Sequence, residues 1–420
     1  MRRAHVIGAG LAGLGASIAL VRDGYAVTLS EAAPQAGGRC RSYHDPQLGL
    51  TIDNGNHLVL SGNDAVMRYL ATIGATDALA GPGSARFGFV DLADDHRWTI
   101  APNGGPIPWW VAAPKRRVPG TRIRDYLAAA KLLRAAPELR VGDIIETSGP
   151  LWQRLLEPFL VAALNTRAAE GSARLAGAVI RETLARGGNA YCPRIATPTL
   201  AAAFVEPALA WLGDHGASIR LGRRLRAIGR ADDRVVSLDF ADSTETISPD
   251  EPVILAVPSW SASALLPGLT VPDAHEAIVN AHFRHAPPAD AEMMIGVIGG
   301  TAEWIFAFPD RISVTISAAG ALLGEEREAL AARIWRDVAK AYRLTSGLPA
   351  WQIVTEKRAT FAATPEQDRL RPGAVTAWRN LLLAGDWTQT GFPATIEGAI
   401  LSGETAAAAV RTMDGRDVAN

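Results

Sequence analysis

The chain has 420 residues, 48% of them hydrophobic and 20% charged, and its formal net charge is −1. That is the composition of a soluble globular protein long enough for two domains sharing an interface, and its neutral balance gives no electrostatic reason to expect a nucleic-acid partner. The two cysteines, Cys40 and Cys192, stand far apart and in no metal-ligand spacing, so neither a disulfide framework nor a metal site is expected and a reducing cytoplasm fits best; no apolar run is long enough to span a membrane.

The first 32 residues, MRRAHVIGAGLAGLGASIALVRDGYAVTLSEA, admit two readings. Two arginines before a run of small and apolar residues fit a secretion signal. Alternatively, His5-Val6-Ile7 is a strand, Gly8, Gly10 and Gly13 form G-x-G-x-x-G, Leu14 to Val21 is a helix, and the strand Tyr25 to Ser30 ends at Glu31, roughly 20 residues beyond the glycines. Four glycines in the supposed signal core, counting Gly15, and an acid at that spacing favour the second reading. The first glycine permits a tight turn, the second lets backbone approach a pyrophosphate at the positive helix end, and the third lets helix and strand pack closely. Glu31 would then accept hydrogen bonds from a ribose hydroxyl. An NAD-binding domain shares this local pattern, so other segments must separate the two.

Directly after Glu31, Gly37-Gly38-Arg39 places two flexible glycines and a guanidinium suited to phosphate oxygens beside the ribose-binding strand. Asp53-Asn-Gly-Asn-His57-Leu-Val-Leu reads as a strand or turn carrying a histidine. Residues 111–140 hold eight Lys or Arg against Asp125 and Glu138, just after Pro106-Ile-Pro-Trp109-Trp110. Paired tryptophans beside a basic helix suit an anionic membrane surface, and equally a solvated charged helix beside two core tryptophans. Trp152 to Leu164 and the strands 293–298 and 304–308 are apolar enough to enclose a cavity or simply to be core. Val253 to Pro258 is a further strand. Near the end, Asn380-Leu-Leu-Leu-Ala-Gly385-Asp386-Trp-Thr is a hydrophobic strand ending in Gly-Asp, and Gly391-Phe-Pro-Ala-Thr395-Ile396-Glu397 opens a helix running to about Met413.

Together the N-terminal, G-G-R and C-terminal segments resemble the flavin amine oxidase and carotenoid desaturase superfamily. The resemblance implies an α/β fold: a discontinuous Rossmann-like FAD-binding domain from residues 1–80, 193–260 and 370–420, and an α+β substrate-binding domain from 81–192 and 261–369 with an antiparallel sheet, a helical part and a membrane-facing segment at 106–137. Carried over, Gly8, Gly10 and Gly13 hold the pyrophosphate, Glu31 the adenosine ribose, and Gly37, Gly38 and Arg39 the phosphates or flavin edge. Gly385 and Asp386 meet the ribityl or pyrophosphate region, although Asp386 also suits a plain turn or cap. Thr395, Ile396 and Glu397 open the flavin-facing helix, and Leu225 falls near adenine or is an ordinary core leucine. No cysteine follows Cys192, so the FAD is expected to be noncovalent.

Residues 356–365 resemble the desaturase branch, and D-N-G-N-H-L-V-L-S-G-N at 53–63, P-N-G-G-P-I-P-W-W at 102–110, R-V-P-G-T-R at 117–122 and A-A-L-N-T at 162–166 are similar to one subgroup of it, the squalene-associated FAD-dependent desaturases, or hydroxysqualene dehydroxylases. This implies reductive loss of a hydroxyl from hydroxysqualene, with hydride from reduced flavin giving squalene for hopanoid synthesis. His57 is the candidate proton donor or oxygen orienter, or else a structural hydrogen-bonder; Asn165 would bind the substrate hydroxyl or cap a helix. A polyprenyl lipid substrate favours peripheral attachment to the inner face of the cell membrane, and an electron donor or neighbouring squalene-pathway enzymes are expected partners. The rival readings are an oxidative carotenoid-precursor desaturase, a flavin amine oxidase and a noncatalytic lipid-binding flavoprotein.

Overall fold

The computed structural model describes residues 2–413, so the end of the expected 370–420 piece lies outside the described residues. Five strands from across the chain form one parallel sheet, in the order Ser218–Arg220, Ala26–Ser30, Arg3–Ile7, Val253–Leu255 and Leu381–Leu383. Val6, Ile254 and Leu382 are fully buried because a parallel sheet is covered on both faces. The first helix spans Leu11–Arg22, three residues longer at its start than the sequence pattern suggests, since it begins immediately after the turn at Gly10. It packs against the last helix, Ile396–Met413, so closely that a Cβ on Gly403 would stand 2.2 Å from the Ala12 carbonyl oxygen.

The second sheet has seven strands, ordered Trp351–Phe361, His275–Phe283, Arg311–Ile316, Trp304–Phe308, Met294–Ile298, Phe87–Asp91 and His96–Ile100. All its pairings are antiparallel except that between 294–298 and 87–91. Alternation sorts its side chains. Val279, Ala281, Ile305 and Val314 pack under the helix Arg327–Tyr342, while Trp304, Phe306 and Phe308 face the core shared with Trp152 and Leu160. A separate three-stranded antiparallel sheet, Leu225–Ala231, Arg234–Phe240 and Thr244–Thr246, intervenes before Val253.

The basic stretch is helical only in part. A short turn at Trp109–Ala112 stands apart from a continuous helical run made of Ile123–Tyr126, Leu127–Ala130 and Lys131–Arg134. Pro114, Pro119 and Gly120, the last at φ 81°, interrupt the helical hydrogen-bond ladder between them.

Where the two sheets meet, fully buried His282 lies against the hairpin Ser42–Asp45 and Leu50–Asp53, with Nδ1 2.8 Å from the Ser313 hydroxyl. Burial, then the charge of Arg311, lowers its pKa from 6.5 to about 3. The unfolded chain therefore takes up a proton below pH 6.5 that the folded chain refuses, and stability falls as pH drops from 6.5 towards 3. His282 should account for about 2 kcal/mol of the stability lost between roughly pH 7 and pH 5. Denaturant titrations at the two pH values should show the wild-type difference shrinking by that amount in His282→Gln, and an unchanged difference would refute the assignment.

Candidate functional site

The turn between the first strand and first helix is built by backbone alone. Gly8 adopts φ 107°, and a Cβ there would lie 2.3 Å from the Ala256 carbonyl oxygen; a Cβ on Gly13 would lie 1.8 Å from the Gly8 oxygen. Gly10 differs, because the space its Cβ would enter holds no atom within 4 Å. No side chain caps the helix that follows, and its first turn carries no acid, so its positive end is left for an anion. Glu31 stands beside this turn: its carboxylate accepts from the Ala9 and Ala33 amides, each at 2.8 Å. A carboxylate has further lone pairs, so ribose hydroxyls can still be bound. Arg223 donates its backbone N–H to the Glu31 carbonyl at 2.7 Å, which brings Leu225, 9% exposed and first in its strand, to the same end of the sheet.

Gly37 pairs with Gly10 as an isolated parallel bridge, its N–H 2.8 Å from the Ala9 oxygen, and Gly37 and Gly38 have φ of 105° and 55°. These conformations turn Arg39 toward the far end of the chain. There its guanidinium pairs with Asp386 at 2.7 Å and donates to the Ala359 carbonyl. The Asp386 side chain is 7% exposed, but that of Arg39 is 41% exposed, so one face of the cation opens outward. Gly385, at φ 148°, lets Trp387 fold back, where a Cβ would meet the indole Nε1 at 2.4 Å. That Nε1 donates to the Val257 carbonyl at 2.9 Å, tying the A-G-D-W-T turn to the end of the neighbouring strand.

His57 is half-buried and has no hydrogen-bond partner among the described residues. The loop carrying it is held from the second sheet: Asn280 Oδ1 accepts from the Thr315 hydroxyl at 2.8 Å and from Asn56 N at 3.4 Å, while Asn56 Nδ2 donates to Thr315 Oγ1 at 3.1 Å. Burial, then the charge of Arg39, lowers the His57 pKa from 6.5 to about 4, against the opposing pull of Asp386. The expected imidazolium donor is thus a neutral imidazole at neutral pH. Two other candidates are committed to the scaffold. Asn165 ends the helix Glu157–Leu164 at φ 47°, its Oδ1 accepting from Ala318 N at 2.7 Å and its Nδ2 donating to Thr360 Oγ1 at 2.9 Å. Its buried amide is engaged at both ends, so it caps and cross-links rather than presenting a free group to a hydroxyl. Glu397 uses both carboxylate oxygens, each at 2.9 Å, on the Ala65 and Val66 amides at the start of the helix Asp64–Thr72. Thr395 Oγ1 accepts from Gly398 N at 3.0 Å and opens the last helix, with Ile396 buried behind it.

Comparison with known proteins matches residues 11–411 to the family model described as flavin containing amine oxidoreductase. The chain is 54% identical over 404 residues to the hydroxysqualene dehydroxylase of Rhodopseudomonas palustris, covering 96% of this chain and 97% of that one. It is 51% identical over 403 residues to the same-named protein of Zymomonas mobilis, with coverage of 96% and 97%. The chain belongs to the hydroxysqualene dehydroxylase family. Among solved structures, cyclohexylamine oxidase from Brevibacterium oxydans superposes with a TM-score of 0.69 at 14% identity, covering 99% of this chain and 100% of that one, a likeness of fold.

The turn of this hydroxysqualene dehydroxylase family member fits FAD: open space over Gly10, an uncapped helix end, and a cation with one exposed face lie together. Sequence reasoning missed what supports them. Arg371, 5% exposed, bonds Asp368 at 3.0 Å and donates to the Asp386 carbonyl at 3.2 Å and the Thr390 hydroxyl at 3.0 Å, fixing the 386–390 turn from behind. Nothing local in D-R-L-R-P-G distinguishes this buried arginine from its exposed neighbour Arg369, because the difference lies in what packs over it.

Arg39→Ala removes the phosphate-facing cation and the ion-pair partner of Asp386, leaving Arg371 as the nearby positive charge. The purified variant should keep less than roughly a tenth of the wild-type flavin, read from visible absorbance against protein, while its far-ultraviolet circular dichroism stays native. Because His57 is neutral above about pH 4, turnover should show no inflection near pH 6.5 that His57→Gln abolishes; finding one would overturn this protonation state.

Proposed function

We propose that the protein is a noncovalent FAD enzyme that reductively removes the hydroxyl of hydroxysqualene, giving squalene for hopanoid synthesis. Identity of 54% across 96% of the chain to a protein named hydroxysqualene dehydroxylase carries this reading. The proposed division of labour gives FAD binding to 1–80, 193–260 and 370–420, and substrate binding to 81–192 and 261–369. Gly8, Gly10, Gly13, Gly37, Gly38 and Arg39 would hold the phosphates, Glu31 and Leu225 the adenosine end, and Gly385 and Asp386 the ribityl region. Thr395, Ile396 and Glu397 set the last helix and its neighbour.

When bound and reduced, FAD supplies the hydride. Hydroxide leaves poorly, so the departing oxygen must gain a proton and leave as water while the allylic carbon gains cationic character. That proton would come with the hydride from the reduced cofactor, so the products are squalene and water. His57, neutral and without a protein partner, offers an N–H to orient that oxygen. Trp304, Phe306 and Phe308, packed in the core with Trp152 and Leu160, would form the apolar wall that keeps water from the developing cation. Each turnover consumes an electron pair, so an electron donor must dock. No helix among the described residues is long and apolar enough to cross a membrane, and a peripheral seat on the inner face would serve a water-insoluble substrate.

The test is anaerobic. Reduced holoprotein mixed with detergent-dispersed hydroxysqualene should reoxidise its flavin and form squalene in equal amount, measured by absorbance and lipid mass analysis. A flavin that stays reduced with substrate yet reoxidises in air would overturn the reading in favour of oxidative chemistry on carotenoid precursors or amines.

A further inference from the structure

Four large apolar side chains in one short stretch point into solvent: Ile107 is 76% exposed, Trp109 55%, Ile123 51% and Leu127 68%. Their sequence neighbours do the opposite. Trp110, Val111, Val118 and Leu132 are buried in the main core, and Trp110 meets the Tyr126 ring edge-on at 5.5 Å. The stretch is therefore anchored on its inner side while its outer side chains remain uncovered. The loop bearing Ile107 and Trp109 is also held in shape from within. Buried Asn103 donates Nδ2 to the Gly105 and Ile107 carbonyls at 3.0 and 2.9 Å, and its Oδ1 accepts from Trp110 N at 3.2 Å. A buried asparagine spending all three bonds on one outward loop fixes the two apolar tips in place.

The same stretch is basic. Lys115, Arg122, Arg124, Lys131 and Arg134 are exposed, and Lys115, Lys131 and Arg134 form no ion pair among the described residues. The Arg116 guanidinium lies 4.7 Å from the Trp109 ring centroid, beside the same apolar tip. Exposed apolar side chains in a stretch whose Lys115, Lys131 and Arg134 lack acidic partners among the described residues match the layering of an anionic bilayer surface, with phosphates outside acyl chains. A protein partner or second copy would need acidic groups matched to each cation. Inward from the tips, one apolar core runs through Trp110, Leu132, Trp152 and Phe306 to Trp387, beside the Asp386 turn.

Resting on the proposed function, we infer that Ile107, Trp109, Ile123 and Leu127 insert into an anionic membrane surface, with the lysines and arginines of the same stretch on lipid phosphates, so that substrate enters from the bilayer at this face. None of these residues belongs to the FAD-binding turn.

Full-length holoprotein should cosediment with vesicles of phosphatidylglycerol and phosphatidylcholine, and at least tenfold less with phosphatidylcholine alone. Ile107→Ser/Trp109→Ser should lower binding to the anionic vesicles at least tenfold, and Lys131→Glu/Arg134→Glu should do the same, with flavin content unchanged. Turnover of hydroxysqualene held in vesicles should fall in parallel with the first variant, while turnover in detergent micelles stays within twofold. Equal binding of wild type and both variants, equal binding to neutral vesicles, or self-association without vesicle binding would each overturn the inference. Micellar turnover by wild type separates the two readings: its absence defeats the proposed function, while cosedimentation still decides the membrane face.

Discussion

The approach of the last helix to the first is the constraint on which the site depends. Two helices whose backbones come this close need a position without a side chain, and Gly403 over Ala12 provides it. The contact brings residues 385 to 397 beside residues 8 to 13, so one chain end supplies the phosphate-binding turn and the other supplies Asp386. Arg39 bridges them. Burial is the largest cost to its charge, and the attraction and hydrogen bond of Asp386 more than offset it, so the pairing holds the two ends together as an ion pair.

The second sheet acts on this frame through polar contacts. Asn280 and Thr315 hold the 54–57 loop by its backbone and by Asn56, while His282 and Arg311 sit behind the adjoining hairpin. The bonds among Asn56, Asn280 and Thr315 are directional, so they fix the loop's position more sharply than apolar packing would. The environment that positions His57 also strips it of charge, since water is displaced and the Arg39 cation is near. Geometry and protonation state are thus set together, and a substitution that opens the loop to solvent changes both.

How much could be read from sequence follows from how local each signal is. The glycine turn, Glu31, G-G-R and the A-G-D-W-T strand are short-range patterns with a backbone reason for each residue, and each appears in the structure as a turn, strand or helix end. Trp304 to Phe308 matched a strand to the residue. The basic segment followed its composition only from residue 123, because Pro114, Pro119 and Gly120 break the ladder before it whatever the surrounding charge. That Asn165 ends a helix and that Thr395 to Glu397 open the last one could be read locally, but the partners those side chains hold, at residues 318, 65 and 66, are distant in sequence and could not. Arg371 was invisible for the same reason: a polar residue's burial is decided by elements that sequence does not place beside it.

The order of strands in the parallel sheet bears on how the chain is made. Val253–Leu255 pairs on one side with residues 5–7 and on the other with residues 381–383. Until the latter have been synthesised, that strand presents an unpaired apolar edge, and the first helix lacks its glycine-fitted partner. Contacts spanning most of the sequence close late because loop entropy must be overcome first. The nascent protein therefore carries an incomplete nucleotide domain through most of its translation, with apolar strand edges of the kind that associate wrongly until the last strand and helix arrive.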